Sequence, residues 1–242
     1  MKYIDAGILL IILCTFSEIQ SSEIFRFCNW SDPKLQDCLE KSIQQGIESL
    51  RYRDGMNLPS SDPFFVENIV LDTAKTSVKL DLKFNNVQVF GFSNLTVLRV
   101  DYNEKENILS FVSEHPRMIL KGQYITKGNI LVLSVFGEGD FVITTFDTIM
   151  RIEIHIGDGN GTHCIRIKKV VLTLKPALVK FDFKNLFNGD KILADTVLKT
   201  VNDNWDLVYN DVENGINKVF SESFEQVAKK LFEIICFPMF QS

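Results

Sequence analysis

The side chains that most often perform catalysis are few in this sequence, and they are scattered. The chain contains three histidines, His115, His155 and His163. His155 alternates with isoleucines on both sides, which places it on the polar face of a predicted strand. His163 is next to Cys164, but adjacent residues of a strand point to opposite faces, so the two do not form a catalytic pair. The histidines therefore indicate no acid-base or nucleophilic centre.

Motifs for phosphate, cofactor and metal binding are also missing from the sequence. The chain has no G-x-S-x-G elbow of a serine esterase and no phosphate-binding P-loop. Its glycine-rich stretches, 137–139 (GEG) and 157–161 (GDGNG), lie between predicted strands, so they do not indicate a dinucleotide site. There is no C-x-x-C pair and no cluster of histidines that would indicate zinc. We therefore expect no enzyme activity, no cofactor and no metal site.

The composition supplies apolar ring surface instead. The chain has 242 residues, of which 45% are hydrophobic and 24% are charged, which excludes a disordered tail or a collagen-like repeat. The aromatic residues are 20 Phe, 5 Tyr and 2 Trp. Phenylalanine has no polar group, so the protein must hide much apolar area, either against itself or against a ligand. The net charge of −5 argues against nucleic acid as a partner.

The first 22 residues are predicted to be a secretory signal. Lys2 gives a weakly positive start, a ten-residue apolar core follows at 7–16, and small residues after it place cleavage between Ser17 and Ser22. Ten residues of helix span about 15 Å, half of the roughly 30 Å that a membrane anchor needs. We therefore expect a secreted protein without stable membrane insertion, with one elongated domain over 23–242.

Three N-glycosylation sequons agree with secretion. They begin at Asn29, Asn94 and Asn160, and a glycan on any of them would place it at the surface. Asn160 is the strongest candidate because it lies in the glycine-rich loop, whereas Asn94 adjoins an apolar strand pattern.

The cysteines suggest one disulfide and leave a second open. Five cysteines become four when Cys14 leaves with the signal, and four allow three pairings. Cys28 and Cys38 are close in sequence, and closing their loop in an oxidising compartment would stabilise the protein by roughly 3 kcal/mol. Cys164 and Cys236 either form a second bridge or stay buried as free thiols.

The hydrophobic pattern divides the chain into a helix, a long run of strands and a second helix. Apolar residues recur with a helical period over 35–50, after a capping Asp32. From about 66 to 184 the period changes to two, which is typical of strands with one dry face. Short hairpin-like gaps fall at 103–107, 126–129, 137–140 and 157–161. The sequence therefore predicts a large antiparallel sheet, which must twist and curl.

The last segment supplies an apolar filler for the curled sheet. Asp190 is a predicted N-cap, and a stripe of apolar residues continues from it at three- and four-residue steps over 192–236. An unbroken helix of that length would run about 65 Å, and Gly215 is the point where we expect a bend. The sequence therefore predicts an α+β fold, in which a strongly curved antiparallel sheet wraps a long C-terminal helix.

Such an arrangement would enclose an apolar tunnel, and the tunnel suggests a function. A lipid that buries ~450 Å² of surface would gain roughly 11 kcal/mol, which exceeds the cost of association by enough to give micromolar to nanomolar binding. The sequence thus favours a carrier of a hydrophobic small molecule. The alternative is a secreted signalling or interaction protein whose core is fully packed. A cell-surface receptor is a further partner that the sequence leaves unknown.

A series of short stretches carries a more specific signal. They are 28–42 (with C…DP…CL…S), 58–63 (LPSSDP), 120–124 (LKGQY), 128–133 (GNILVL), 137–139 (GEG) and 185–191 (NLFNGDK), followed by Asn202, Asn204 and Trp205. In these stretches and in their order the chain resembles the insect takeout and juvenile-hormone-binding proteins, a group that includes circadian clock-controlled proteins. The resemblance covers nearly all of the chain after the signal.

The resemblance implies a tubular lipid-binding fold of the TULIP type. It also implies carriage of a hydrophobic ligand without catalysis, such as a terpenoid like juvenile hormone or a fatty-acid-like lipid, in haemolymph or another extracellular fluid. The family's N-terminal disulfide carries over to Cys28 and Cys38. The resemblance does not assign a bridge to Cys164 and Cys236.

Six residues are predicted as ligand contacts on this basis. Tyr124, in the G-x-Y part of its motif, would offer a hydroxyl to a polar ligand head, unless that hydroxyl merely reaches solvent. For the other five the alternative is ordinary core packing. They are Phe64 and Phe65 at one mouth of the tunnel, Trp205 facing the sheet, and Phe220 and Phe224 at the other end.

Overall fold

The computed structural model describes residue 28 and residues 32–51, 60–72, 78–130, 132–159 and 162–235. Within these ranges the chain forms helices and strands in the predicted order, with one helix, then strands, then C-terminal helices. The helices are α1 (Leu35–Arg51), α2 (Lys191–Asp203) and α3 (Trp205–Ile235), and a 3-10 turn occupies Phe187–Gly189. The strands are β1 (Phe64–Asp72), β2 (Val78–Phe90), β3 (Thr96–Asn103), β4 (Ile108–Ile130), β5 (Leu133–Gly159), β6 (Thr162–Lys175) and β7 (Leu178–Phe183).

The described strands form one antiparallel sheet. Its order is β1-β2-β4-β5-β6, with β3 beside part of β4 and β7 beside part of β5. The sheet curls into a half-barrel, and the C-terminal helix packs against its inner face. The predicted fold class, a curved antiparallel sheet around a long C-terminal helix, is confirmed.

Two strands are much longer than the sequence pattern predicts. β4 has 23 residues and β5 has 27, and they pair along their common length from Ile108↔His155 to Ile130↔Leu133. The predicted hairpins at 126–129 and 137–140 are wrong, because both segments lie inside these strands. A Cβ on Gly139 would lie 2.7 Å from the carbonyl oxygen of Lys184. The glycine there makes room for neighbouring backbone and does not form a turn.

Both long strands change partners at the same level of the sheet. β4 pairs with β3 over 108–114 and with β2 over 119–130, and Pro116 lies between the two partners. A proline has no N–H to donate, so it fits where a strand has no neighbour on that side. On β5 the change from β7 to β6 surrounds Asp147, which has a left-handed φ of 44°. The switch divides the sheet into two ends that share only β4 and β5.

The N-terminal helix lies against β3. Asp32 starts it, because its side chain accepts from the Lys34 backbone N at 2.8 Å. The sulfur atoms of Cys28 and Cys38 are bonded, with an S–S distance of 2.13 Å. Farther along α1 the amide of Gln44 accepts from the Val97 backbone N at 2.9 Å. The same amide donates to the carbonyl of Leu95 at 3.2 Å, so a side chain of the helix pairs with the outer edge of β3.

The C-terminal segment is two helices, not one. Asp190 caps α2 as predicted, accepting from the backbone N atoms of Ile192 and Leu193 at 3.1 Å each. The break falls at Asn204, whose φ of −120° and ψ of 33° are not helical. Gly215, where the sequence predicts a bend, lies inside α3, and a Cβ there would meet Leu71 of β1 at 2.9 Å. Glycine here lets the helix approach the sheet closely.

A ladder of side chains joins α3 to the edge of β6. Every fourth residue of the helix faces every second residue of the strand, because four helical residues rise about 6 Å and two strand residues about 6.6 Å. Three backbone N atoms of β6 therefore find acceptors on one helix face. The pairs are Leu174 with Asn217 Oδ1 at 3.0 Å, Leu172 with Ser221 Oγ at 2.8 Å, and Val170 with Glu225 Oε2 at 3.1 Å.

Candidate functional site

An apolar cavity lies between the inner face of the sheet and the two C-terminal helices. It contains about 1180 Å³ of space, counting the part that opens to solvent. Strands β1, β2, β4, β5, β6 and β7 form one wall, and α2 and α3 form the other. The curled sheet and the apolar faces of the two helices enclose this cavity together, because the two surfaces do not pack fully against each other.

The cavity wall is almost entirely hydrocarbon. Among the described residues, no charged side chain lines it. Hydroxyl groups come only from four of the lining residues, Thr126, Thr145, Thr148 and Tyr209. Five phenylalanines contribute rings, and these are Phe84, Phe92, Phe181, Phe183 and Phe220. Such a wall can bind an apolar molecule by burial, and it offers no counter-charge to an ion.

Three of the four hydroxyl groups are engaged within the protein. Thr148 Oγ1 donates to Thr145 Oγ1 at 3.0 Å. The Tyr209 hydroxyl donates to the carbonyl of Leu174 at 2.9 Å. Burial, and then the charge of Glu213, raise the pKa of Tyr209 above its ordinary value, so it stays a neutral donor. The Thr126 hydroxyl is buried and has no hydrogen-bond partner.

Phenylalanine rings hold the walls of the cavity in place through two clusters. In the first, the Phe84 ring lies 4.6 Å from Phe141 and 6.3 Å from Phe183, measured between centroids. In the second, Phe92 lies 4.8 Å from Phe224 and 5.6 Å from Phe64. Each cluster has members in the cavity wall and members behind it. Because ring pairs of this kind stabilise one another beyond their buried area, the rings behind the wall help to hold the lining rings in place.

The predicted phenylalanine contacts separate into three situations. Phe220 lines the cavity. Phe64 and Phe224 lie in the second ring cluster, 5.0 Å apart, behind the lining ring of Phe92. Phe65 points to the outer face of β1 and is 55% exposed. Adjacent residues of a strand alternate between faces, so Phe64 and Phe65 could not both have faced the tunnel.

Tyr124 occupies a structural position. The residue is 1% exposed and does not line the cavity. Its hydroxyl donates to the carbonyl of Lys184 at 2.7 Å, and burial raises the pKa of Tyr124 to about 12. A Cβ on Gly137 would lie 2.9 Å from this hydroxyl. The hydroxyl therefore latches the segment after β7 to β4 and is not available to a ligand head.

Trp205 and the two asparagines before it also have positions that the structure explains. Trp205 begins α3, is half-buried and does not line the cavity. Asn202 holds the edge of β7: its Oδ1 accepts from the backbone N of Phe181 at 2.8 Å. Asn204 donates from Nδ2 to the carbonyl of Thr200 at 2.8 Å, at the end of α2. The motif at 202–205 thus ends one helix and starts the next.

The remaining predicted residues lie at the surface or outside the described part of the chain. Asn94 is exposed just before β3. Asn29, Asn160 and Cys236 lie outside the described residues, as does the side chain of Cys164.

One corner of the cavity was not predicted, although the sequence carried a signal for it. Leu186, in the NLFNGDK stretch, is buried and lines the cavity. A Cβ on Gly137 would lie 3.0 Å from the Cα of Leu186, and Asn185 donates from Nδ2 to the Glu138 carbonyl at 2.9 Å. The GEG and NLFNGDK stretches are therefore two sides of one contact. Thr126, Thr145 and Thr148 had no sequence signal beyond the alternation of their strands.

The described residues also bear on two other kinds of site. No group of three or more histidine, cysteine or carboxylate side chains in these ranges is placed to hold a metal ion. None of the described helices combines the length and the apolar character needed to cross a membrane.

Comparison with known proteins identifies the family. The model of the haemolymph juvenile hormone binding protein family matches residues 8–240. The chain belongs to this family. Two curated family relatives are named circadian clock-controlled protein daywake. The one from Drosophila melanogaster is 24% identical over 226 residues, covering 86% of this chain and 85% of the fly protein. The one from Drosophila yakuba is 24% identical over 174 residues, covering 68% and 66%.

A solved structure shows the same fold. The crystal structure of Epiphyas postvittana Takeout 1 superposes with a TM-score of 0.76 at 20% sequence identity, over 87% of this chain and 95% of that one. The predicted resemblance to takeout and juvenile-hormone-binding proteins is thus confirmed, and so is the single domain with its curled sheet. The family is one of hydrophobic-ligand carriers.

Proposed function

We propose that this protein is a secreted, non-catalytic carrier of one elongated hydrophobic small molecule, either a terpenoid such as juvenile hormone or a fatty-acid-like lipid. The observation that carries the proposal is the apolar cavity between the sheet and the C-terminal helices, whose described wall contains no charged side chain. Burying roughly 450 Å² of ligand there is worth about 11 kcal/mol before the costs of association. The cavity favours this role over a signalling protein with a packed core.

The chemistry of the wall supports a role without catalysis. Among the described residues, the side chains that line the cavity include no histidine, cysteine, serine, lysine or carboxylate. Threonine and tyrosine hydroxyls are the polar groups that remain, and the described wall holds no histidine, lysine or carboxylate to act as their base. Secretion is supported by the apolar segment at 7–16 and by the family's description as haemolymph proteins.

A matched pair of cavity and surface variants tests the carrier role. Ile143 of β5 lines the cavity, whereas Ile125 of β4 is 50% exposed on the outer face. Tryptophan at 143 fills part of the cavity, so Ile143→Trp should weaken binding of a fluorescent fatty-acid analogue at least tenfold. Ile125→Trp should bind as the parent protein does. Native mass spectrometry of secreted protein should show a bound apolar molecule.

The test has a clear negative outcome. If delipidated protein binds neither the fatty-acid analogue nor an isoprenoid probe, and arrives empty from its source, the carrier role is wrong. Melting temperatures of both tryptophan variants are measured in parallel, because overpacking can itself cost 1–3 kcal/mol.

A further inference from the structure

Thr126 is an unusual residue in the cavity wall. It lies on β4, opposite Leu82 of β2 and Gly137 of β5. It is 6% exposed, it lines the cavity, and its hydroxyl oxygen has no hydrogen-bond partner. A buried hydroxyl without a partner has given up its hydrogen bonds to water, and the great majority of buried polar side-chain atoms are bonded. An unpaired hydroxyl in the wall of a ligand cavity therefore calls for an explanation.

The other hydroxyl groups of the wall show that this situation is specific to Thr126. Thr148 donates to Thr145 at 3.0 Å, and Tyr209 donates to the Leu174 carbonyl at 2.9 Å. Valine has nearly the shape of threonine and would fill the position of Thr126 without an unpaired group. The unpaired hydroxyl of Thr126 thus destabilises the empty protein, and a bound molecule that forms a hydrogen bond with it would remove this effect.

We propose that the Thr126 hydroxyl anchors the polar end of the ligand, and that this end is a neutral oxygen group such as an alcohol, ester, ketone or epoxide. The proposal rests on the carrier role and narrows its ligand. A threonine hydroxyl both donates and accepts, so it serves any of these groups. Its hydroxyl and methyl share one tetrahedral carbon, and a step between χ1 rotamers turns the hydroxyl toward the cavity.

The absence of charge in the described wall explains why the end group is neutral. Lys127, the next residue on β4, is exposed on the opposite face of the strand. The described wall offers no cation within the cavity to pair with a carboxylate. Burying an unpaired carboxylate is far more costly than burying a neutral oxygen that receives a hydrogen bond. A free fatty acid in its ionised form is therefore a poor ligand at this end.

The position of Thr126 also sets the direction of the ligand. Along β4 the cavity wall extends from Met118 to Ile130, and Thr126 lies in the part nearer the turn with β5. Met118, eight residues earlier on β4, lines the cavity together with its partner Thr145. Eight strand residues extend about 26 Å. A long apolar chain with its oxygen at Thr126 would thus run along β4 toward Met118.

Three probes with the same carbon chain test the proposal. They are oleyl alcohol, oleate at pH 8 and 1-octadecene, each measured by displacement of a bound fluorescent probe from delipidated protein. We expect the parent protein to bind the alcohol about tenfold more tightly than either the hydrocarbon or the carboxylate. Thr126→Val should lose the preference for the alcohol over the hydrocarbon, and Thr126→Ser should keep it.

A control variant separates the hydroxyl at 126 from hydroxyl groups in general. Thr144 is buried on β5 but does not line the cavity, so Thr144→Val should keep the preference for the alcohol. The inference is overturned if Thr126→Val still prefers the alcohol, or if the parent protein binds oleate as tightly as the alcohol. If octadecene binds but the alcohol has no advantage, the carrier role stands and this inference fails. If none of the three probes binds, both fail.

Discussion

The side-chain amide of Asn202 pairs with both backbone groups of Phe181. Its Oδ1 accepts from the Phe181 N at 2.8 Å, and its Nδ2 donates to the Phe181 O at 2.9 Å. The amide thus takes the place of a neighbouring strand at the edge of β7, and it fixes α2 against a strand whose Phe181 ring lines the cavity. Asn202 therefore connects α2, which covers this part of the cavity, directly to the lining residue Phe181.

Replacing that amide should therefore loosen the fold at the cavity. Asn202→Ala removes the two hydrogen bonds to Phe181 and a third to the carbonyl of Leu198, so we expect a loss of about 2–3 kcal/mol in the free energy of unfolding. Urea titration measures this loss. The matched control is Asn129→Ala, on the exposed face of β4, which should change stability by less than about 0.5 kcal/mol. Equal stability of the two variants would contradict the role of Asn202.

Tyr124→Phe distinguishes a latch from a ligand contact. The hydroxyl donates to the Lys184 carbonyl at 2.7 Å, so its removal should lower the free energy of unfolding by about 1–2 kcal/mol. Ligand affinity should be unchanged, because Tyr124 does not line the cavity. Tyr102→Phe is the control, since that hydroxyl bonds Asn107 at the surface. If Tyr124→Phe bound the ligand more weakly and had unchanged stability, the result would support Tyr124 as the ligand contact that the sequence predicts.

Thr126→Val should stabilise the empty protein while removing the proposed anchor. The variant replaces an unpaired buried hydroxyl by a methyl group, and we expect a gain of about 1 kcal/mol in the free energy of unfolding. Differential scanning calorimetry of delipidated protein measures it as a rise in melting temperature. Thr144→Val, made in parallel, controls for the general effect of exchanging threonine for valine in this sheet. A destabilised Thr126→Val would mean that the hydroxyl has a partner inside the protein.

The stability of the fold should depend on pH through His115. Burial lowers its pKa from 6.5 to about 4, and the nearby backbone of Phe92 and Gly91 opposes this shift only in part. In the folded protein the imidazole therefore stays neutral where the unfolded chain takes up a proton. Stability is complete above about pH 6.5 and falls as the pH drops from there toward 4. Between pH 7.5 and pH 5.0 we expect a loss of about 2 kcal/mol from this residue.

The contribution of His115 can be isolated by substitution. His115→Gln cannot take up a proton, so its free energy of unfolding should fall less between pH 7.5 and pH 5.0 than that of the parent protein, by about 2 kcal/mol. Urea titrations at the two pH values give both numbers. An unchanged pH dependence in His115→Gln would contradict the role of His115.

The fold could be predicted because the two hydrophobic patterns that indicate strands and helices depend only on residues that are close together in the sequence. The N-cap at Asp190 and the start of α1 after Asp32 are of this kind. The full lengths of β4 and β5 were not predictable in the same way, since Gly128 of β4 and Gly137 of β5 are typical of turns. Their places inside long strands depend on neighbouring backbone, such as Lys79 beside Gly128, that is distant in sequence.

The site was harder to predict than the fold for the same reason. The break at Asn204 has no proline or glycine, and the side chains of α2 and α3 on either side continue the same apolar stripe. The partner of the Tyr124 hydroxyl is a backbone carbonyl 60 residues away, which a sequence pattern does not reveal. Which rings line the cavity and which lie behind it, as Phe220 and Phe64 do, follows only from the curl of the sheet.

The side chains that cover the sheet edges affect the concentration that the protein, and with it the bound ligand, can reach. An enzyme acts on many substrate molecules in turn, so a low concentration is enough. A carrier binds its ligand stoichiometrically, so the amount of ligand it can hold is set by its own concentration. Exposed strand edges polymerise by adding strands as concentration rises. Gln44, Asn202 and Asn217 already occupy backbone groups at the edges of β3, β7 and β6. The protein can therefore accumulate, and its cargo with it, without those edges recruiting further copies.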